Sequence, residues 1–152
     1  MAQGDLSLFN EASLELLSGT HNLTTAGDVI KVALITTLPT VSQTTPTLAD
    51  FTEVAGSGYT PGGYDIHQGS AQTVDPVSGA TYKYDSSENP NWAQNGGGPV
   101  DIVGALIYNS TDVSDKALGF VDMTTGGGTP AVSLQAGNVS ITWNASGIFT
   151  LG

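Results

Sequence analysis

The amino-acid sequence predicts an all-β fold, a β-sandwich or barrel-like arrangement with one short N-terminal helix, and three observations carry that expectation. Apolar runs after residue 28 are short and rich in β-branched side chains. Gly, Pro, Asn or Asp bounds each of them. Helical spacing of apolar residues is confined to the first 19 residues. With 152 residues, 20 Gly, 7 Pro and no Cys, the chain is long enough to bury ~68–70% of its unfolded surface. One domain spanning residues 1–152 is therefore expected, divided into an N-terminal helical segment over 1–19 and a β-sandwich over 28–152.

The elements follow in order. Asp5 to Ser18 sets Leu6, Phe9, Ser13, Leu16 and Leu17 at spacings of three and four, with Asp5 as N-cap and Gly19 just after, which predicts an amphipathic helix. Val29 to Leu38 then reads as a strand, stopped at Pro39. Thr40 to Asp50 is a Thr-, Ser- and Pro-rich loop, Phe51 to Ala55 a short extended run, and Gly56 to Gly63 a turn. Tyr64 to Val74 and Ala80 to Asp85 predict a hairpin around Asp75-Pro76-Val77-Ser78-Gly79. Ser86 to Pro99 is a long loop or broken strand holding Trp92. Further strands are expected at Val100 to Tyr108, Ala117 to Met123, Val132 to Leu134, Val139 to Trp143 and Ile148 to Leu151. Alternation assigns the core to Ile30, Val32, Leu34, Ile66, Val103, Leu106, Tyr108, Phe120, Ile141, Trp143 and Phe149.

Charge narrows the function classes. Fourteen Asp and Glu stand against Lys31, Lys83 and Lys116, with no Arg, for a net charge of −11. A nucleic-acid partner is not expected, because affinity for phosphates rests on Lys and Arg. Anionic membrane surfaces are disfavoured for the same reason. The start, Met-Ala-Gln-Gly-Asp, has neither a basic n-region nor an apolar h-region, and Val29 to Leu38 is too short for a spanning helix.

No catalytic constellation, cofactor site or metal site is expected. His21 and His67 are isolated and read as surface or loop histidines. The Asp85-Ser-Ser-Glu88-Asn-Pro-Asn91 stretch has oxygen ligands at close spacing but lacks the glycine and glutamate of an EF-hand loop. Asp112 and Asp115 beside Lys116 read as turn capping. No Ser sits in GxSxG or SxxK. Gly96 to Gly98 and Gly126 to Gly128 lack the Lys-Ser/Thr of a phosphate loop and read as flexible loops. Sequons at Asn22, Asn109, Asn138 and Asn144 matter only on a secretory route. Trp92 and Trp143 read as packing residues or, alternatively, as a sugar-stacking platform.

The ordered set of segments resembles a family of small virion structural proteins of tailed bacteriophages. The resemblance rests on Leu16-Leu17-Ser18-Gly19, Asp28 to Leu34, Val54 to Gly63, Trp92, Ala105 to Tyr108, Leu118 to Asp122 and Ile141 to Leu151. It covers nearly the whole chain and departs at Asn91-Trp92, where Pro90 and Gly-rich flanks replace a regular strand.

The resemblance implies a capsid decoration, or cement, protein: a non-enzymatic virion protein, assembled in the host cytoplasm, on the outer face of the major capsid protein shell. A homo-oligomer, in particular a homotrimer, is the expected state. Leu6, Phe9, Leu16, Leu17 and Trp92 are the expected interface residues, the first four on the terminal helix. Burying that helix against its own sandwich is the competing reading. A phage tail structural protein and a carbohydrate-binding β-sandwich are the alternative functions.

Overall fold

The structure is a computed structural model that describes residues 3–151. Its strands are β1 (Leu6–Leu8), β2 (Ile30–Ile35), β3 (Tyr64–Asp65), β4 (Gln72–Ser78), β5 (Thr81–Ser86), β6 (Asn91–Trp92), β7 (Gly104–Asn109), β8 (Ala117–Asp122), β9 (Val139–Ser140) and β10 (Phe149–Leu151), with the helix α1 at Ala12–Leu17. Five strands form one antiparallel sheet in the order β1-β8-β7-β2-β3, three form a second in the order β10-β5-β4, and β6 pairs with β9. The all-β expectation holds.

The main sheet is built around β2, β7 and β8, whose apolar sequences IKVALI, GALIYN and ALGFVD resemble continuous runs more than alternating ones. Such runs suit strands covered on both faces, and every residue of β7 and β8 is buried. One contiguous core joins these strands to Tyr84 of the small sheet and to Trp92, Leu134, Val139 and Ile148. Nearly all the expected core residues are buried within it; Trp143 and Phe149 are half-buried against it.

Three local expectations are corrected. The segment from Asp5 to Ser18 is not one helix: Leu6, Ser7 and Leu8 pair with Val121, Phe120 and Gly119, and the helix begins only at Ala12. A two-residue alternation is too short to outweigh helical spacing in the sequence, yet a waiting edge on β8 decides it. Among the described residues the N-terminal segment thus holds a strand and then a short helix, and β structure begins before residue 28. Helix α1 does stop where expected, with Gly19 at φ +77° and its N–H bonded to the Leu16 carbonyl.

The second correction concerns the hairpin. Tyr64 and Asp65 pair with β2, so β4 begins at Gln72 and runs through the expected turn to Ser78, leaving Gly79 and Ala80 as the tip. The irregular register between Pro76 and Ser78 lets a proline remain in an edge strand. Val132 to Leu134 forms no strand and makes a single bridge from Val132 to Ile102. The glycine-rich turn leading into β3 is required by close approach. Gly63 has φ +73°, and a Cβ there would lie 2.0 Å from the Val32 carbonyl oxygen.

Candidate functional site

Four buried polar side chains, Glu15, His21, Gln72 and Asn109, converge between α1, the segment 20–29 and the ends of β4 and β7. Because Ala12, Glu15 and Leu16 share one helix face, the inward stripe of α1 carries an acid, while Leu14 and Leu17 point to solvent. Glu15 accepts a bond from Lys116 Nζ at 2.6 Å and another from His21 Nε2 at 3.1 Å. Carboxylate oxygen only accepts, so Nε2 carries the imidazole proton and Nδ1 is left to accept. Asn109 Nδ2 supplies that donor at 3.1 Å and donates its other hydrogen to Asp28 Oδ2 at 2.7 Å. Its Oδ1 accepts from the N–H groups of Thr111 and Asp112. The amide orientation is thereby fixed from both ends.

Gln72 extends this arrangement into the small sheet. Its Nε2 donates to the carbonyls of Thr24 and Asp28, and its Oε1 accepts from the Tyr84 hydroxyl. Segment 20–29 is thus tied to both sheets, which gives the network an architectural role. His21 lies in a loop, as expected, but is 4% exposed and so is not a surface histidine. The Glu15 hydrogen bond raises the Lys116 pKa against the opposing effect of burial.

Other ionisable groups are likewise engaged in turns. Asp122 is buried, which disfavours its charge, but the Thr124 hydroxyl and the N–H groups of Thr124 and Gly127 more than offset this and hold it below the usual carboxylate range. Those bonds, with one from Gly128 N–H to Thr124, pin the Gly126 to Gly128 loop that the sequence presents as flexible. Tyr59 donates to Glu53 and accepts from Leu34 N–H; burial first and Glu53 second push its pKa far up. Glu88 accepts from Tyr64, Asp85 pairs with Lys83, and Asp112 caps Ser114. Among the described residues no three His, Asp or Glu gather in a way that would hold a metal ion. Of the sequon asparagines, Asn109 is enclosed in the core.

The expected interface residues separate. Phe9 is 1% exposed, between Phe120 and Phe51 at ring distances of 5.4 and 6.2 Å. Trp92 is 6% exposed, against Tyr59 and Tyr64 at 6.3 and 6.1 Å. Leu6 lies on β1 and is half-buried, as is Leu16, whereas Leu17 is 89% exposed. No single helix face presents Leu6, Phe9, Leu16 and Leu17 together.

Two open grooves stand out among the described residues. One, of about 430 Å³, runs between the start of β1 and the C-terminal segment, with Ser140, Thr142, Trp143 and Asn144 along one wall. The Trp143 ring is anchored there by its Nε1–H on the Glu88 carbonyl at 2.8 Å. The other, of about 460 Å³, lies between α1 and the small sheet. Leu16, Leu17, Val74, Tyr82, Phe149 and Leu151 line it, with His21 on its wall. Sequence reasoning found Leu16 and Leu17 but missed Val74, Tyr82 and Leu151; alternation within the hairpin was the available signal. Comparison of the chain with models of protein families, with curated proteins and with solved structures found no match.

Proposed function

We propose that this chain is a structural virion protein that decorates and stabilises a bacteriophage capsid by binding the outer face of the major capsid protein shell. The observation that carries the reading is the gathering of exposed apolar side chains from α1, β4, β5 and β10 around one groove, a composition suited to protein contact. The ordered sequence resemblance supports the phage assignment. An acidic surface suits the outside of a shell, away from packaged DNA. The polar groups described above serve turns and sheet junctions, which suits a rigid module.

The test is to mix purified protein with particles lacking it and locate added density by electron microscopy. Regular density on the outer shell supports decoration. Density confined to the tail assigns the chain there, and no added density together with its absence from intact virions overturns a virion role.

A carbohydrate-binding reading draws on one observation, the anchored Trp143 beside Ser140, Thr142 and Asn144. Trp92 is enclosed and adds nothing to such a platform. Micromolar binding to isolated glycans that is lost in Trp143→Ala would favour it over decoration.

A further inference from the structure

We infer that Asn95 is a self-modifying residue: the backbone nitrogen of Gly96 closes on its carboxamide to form a succinimide, which water opens to aspartate and isoaspartate. Asn95 is the only asparagine of the sequence followed by glycine. Glycine adds no Cβ to hinder attack by its own nitrogen, and Gly96 is exposed, with no atom within 4 Å of the place a Cβ would take. Its N–H makes no hydrogen bond among the described residues, so the nitrogen is not held back. The carboxamide, in contrast, is oriented: Asn95 Oδ1 accepts from the Gly97 N–H at 3.0 Å. That donor faces the oxygen on which negative charge grows as the Gly96 nitrogen adds to Cγ. The loop, which the sequence presents as flexible, is pinned at this residue. Asn95 N–H donates to the Leu134 carbonyl at 3.1 Å, and the Asn95 carbonyl accepts from Gly98 N–H at 2.9 Å. The fold thus holds the reacting carboxamide in place beside its nucleophile.

The chemistry needs only water. The Gly96 nitrogen loses its proton to hydroxide and bonds to Cγ; the Cγ–Nδ2 bond breaks, and ammonia leaves with a proton taken from water. Water then adds to one of the two ring carbonyls. Cleavage at Cγ gives aspartate, which keeps the main chain and the Oδ1 acceptor for Gly97. Cleavage at the backbone carbonyl gives isoaspartate: the chain now runs through Cβ and Cγ, and the acceptor for Gly98 becomes a carboxylate on a branch. This lengthens a loop whose bonds tie two distant segments together. The Gly97 carbonyl accepts from Ser57 N–H at 2.9 Å, and the Pro99 carbonyl accepts from Leu134 N–H at 2.8 Å. Leu134 is fully buried, so isoaspartate at position 95 loosens the join between the Gly56 to Gly63 turn and the core.

Incubation of the full chain in mildly alkaline buffer made with heavy-oxygen water, followed by peptide mass spectrometry, tests the inference. The expected result is loss of the amide and uptake of label at Asn95, as a mixture of aspartate and isoaspartate, with the Asn109 and Asn144 peptides unchanged. Gly96→Ala is the blocking variant: open space and a φ outside the left-handed region accommodate the methyl, so it should fold like the wild type. It should slow conversion on the order of tenfold. Asn95→Asp mimics direct hydrolysis and should keep the amide-exchange protection of Ser57 and Leu134, whereas the isolated isoaspartate form should lose it. An Asn95 that stays intact in the native chain while the urea-unfolded chain converts would overturn the inference. So would a Gly96→Ala chain that converts as fast as the wild type, equal loss at Asn109 and Asn144, or an isoaspartate form with Ser57 and Leu134 protection unchanged.

Discussion

Truncating Phe9 to Ala should destabilise the isolated protein rather than spare its fold and weaken a contact with a neighbour. The ring is 1% exposed and packs against Phe120 and Phe51. Removing a buried Phe side chain costs ~3–5 kcal/mol, through lost transfer energy and the cavity left behind. In a domain of about 150 residues each kcal/mol moves the thermal midpoint by ~2–4 °C, so a fall of roughly 6–20 °C is expected. Leu17→Ala is the internal comparison: at 89% exposure it should change stability by no more than about 0.5 kcal/mol. Equilibrium urea unfolding of both variants, with the dependence on denaturant held common, separates the two residues. A Phe9→Ala loss below about 1 kcal/mol with unchanged denaturant dependence would refute the placement of Phe9 in the core.

Glu15→Gln should lower stability by about 1–3 kcal/mol, because it weakens the acceptor of both the His21 and Lys116 bonds at a buried position; urea unfolding measures the loss, and a neutral result would mean that the network relaxes freely. Asp122 has a folded-state pKa below its unfolded value, so its stabilisation is present above the unfolded carboxylate range and is lost as pH falls through the folded pKa. Asp122→Asn should flatten the acid limb of the stability profile, and an unchanged limb would contradict the Thr124 and Gly127 bonds as its origin. Burial, followed by Asp115, Glu53 and Asp65, pushes the Tyr108 phenol up to about 12, so its contribution is complete below 10.0 and disappears as pH rises through about 12. The loss of stability as pH rises above 10.0, followed by urea unfolding, should therefore be smaller for Tyr108→Phe than for the wild type.

The parts of the fold legible in the sequence were those where local pattern and tertiary demand agree. Ile30, Val32 and Leu34 form a β-branched and apolar run that a buried strand requires, and Phe120 and Leu106 face each other across β7 and β8. Legibility failed where a distant partner decided. Leu6 to Leu8 became a strand because Gly119 to Val121 lie beside them. His21 became buried because its partners Glu15 and Asn109 lie 6 and 88 residues away, spacings with no motif. Glu15 reads as a solvated helix charge until Lys116, 101 residues on, is folded against it. The groove was half legible, since Leu16 and Leu17 stand out locally while Val74, Tyr82 and Leu151 join them only through the β10-β5-β4 pairing.

The few lysines link this internal organisation to the surface. Lys116 pairs with Glu15 and Lys83 with Asp85, and Lys31 stands across the ladder from Asp65. Two of the three cations that could have balanced the exterior are thus engaged with the chain's own carboxylates, and the chain keeps a net charge of −11. At physiological salt the repulsion between two such surfaces decays over about 8 Å. Long-range repulsion then slows chance encounters, but contact is governed by what meets at short range. At the groove that is leucine, valine, tyrosine and phenylalanine with no carboxylate among the lining residues, so apolar burial is not opposed there by local charge.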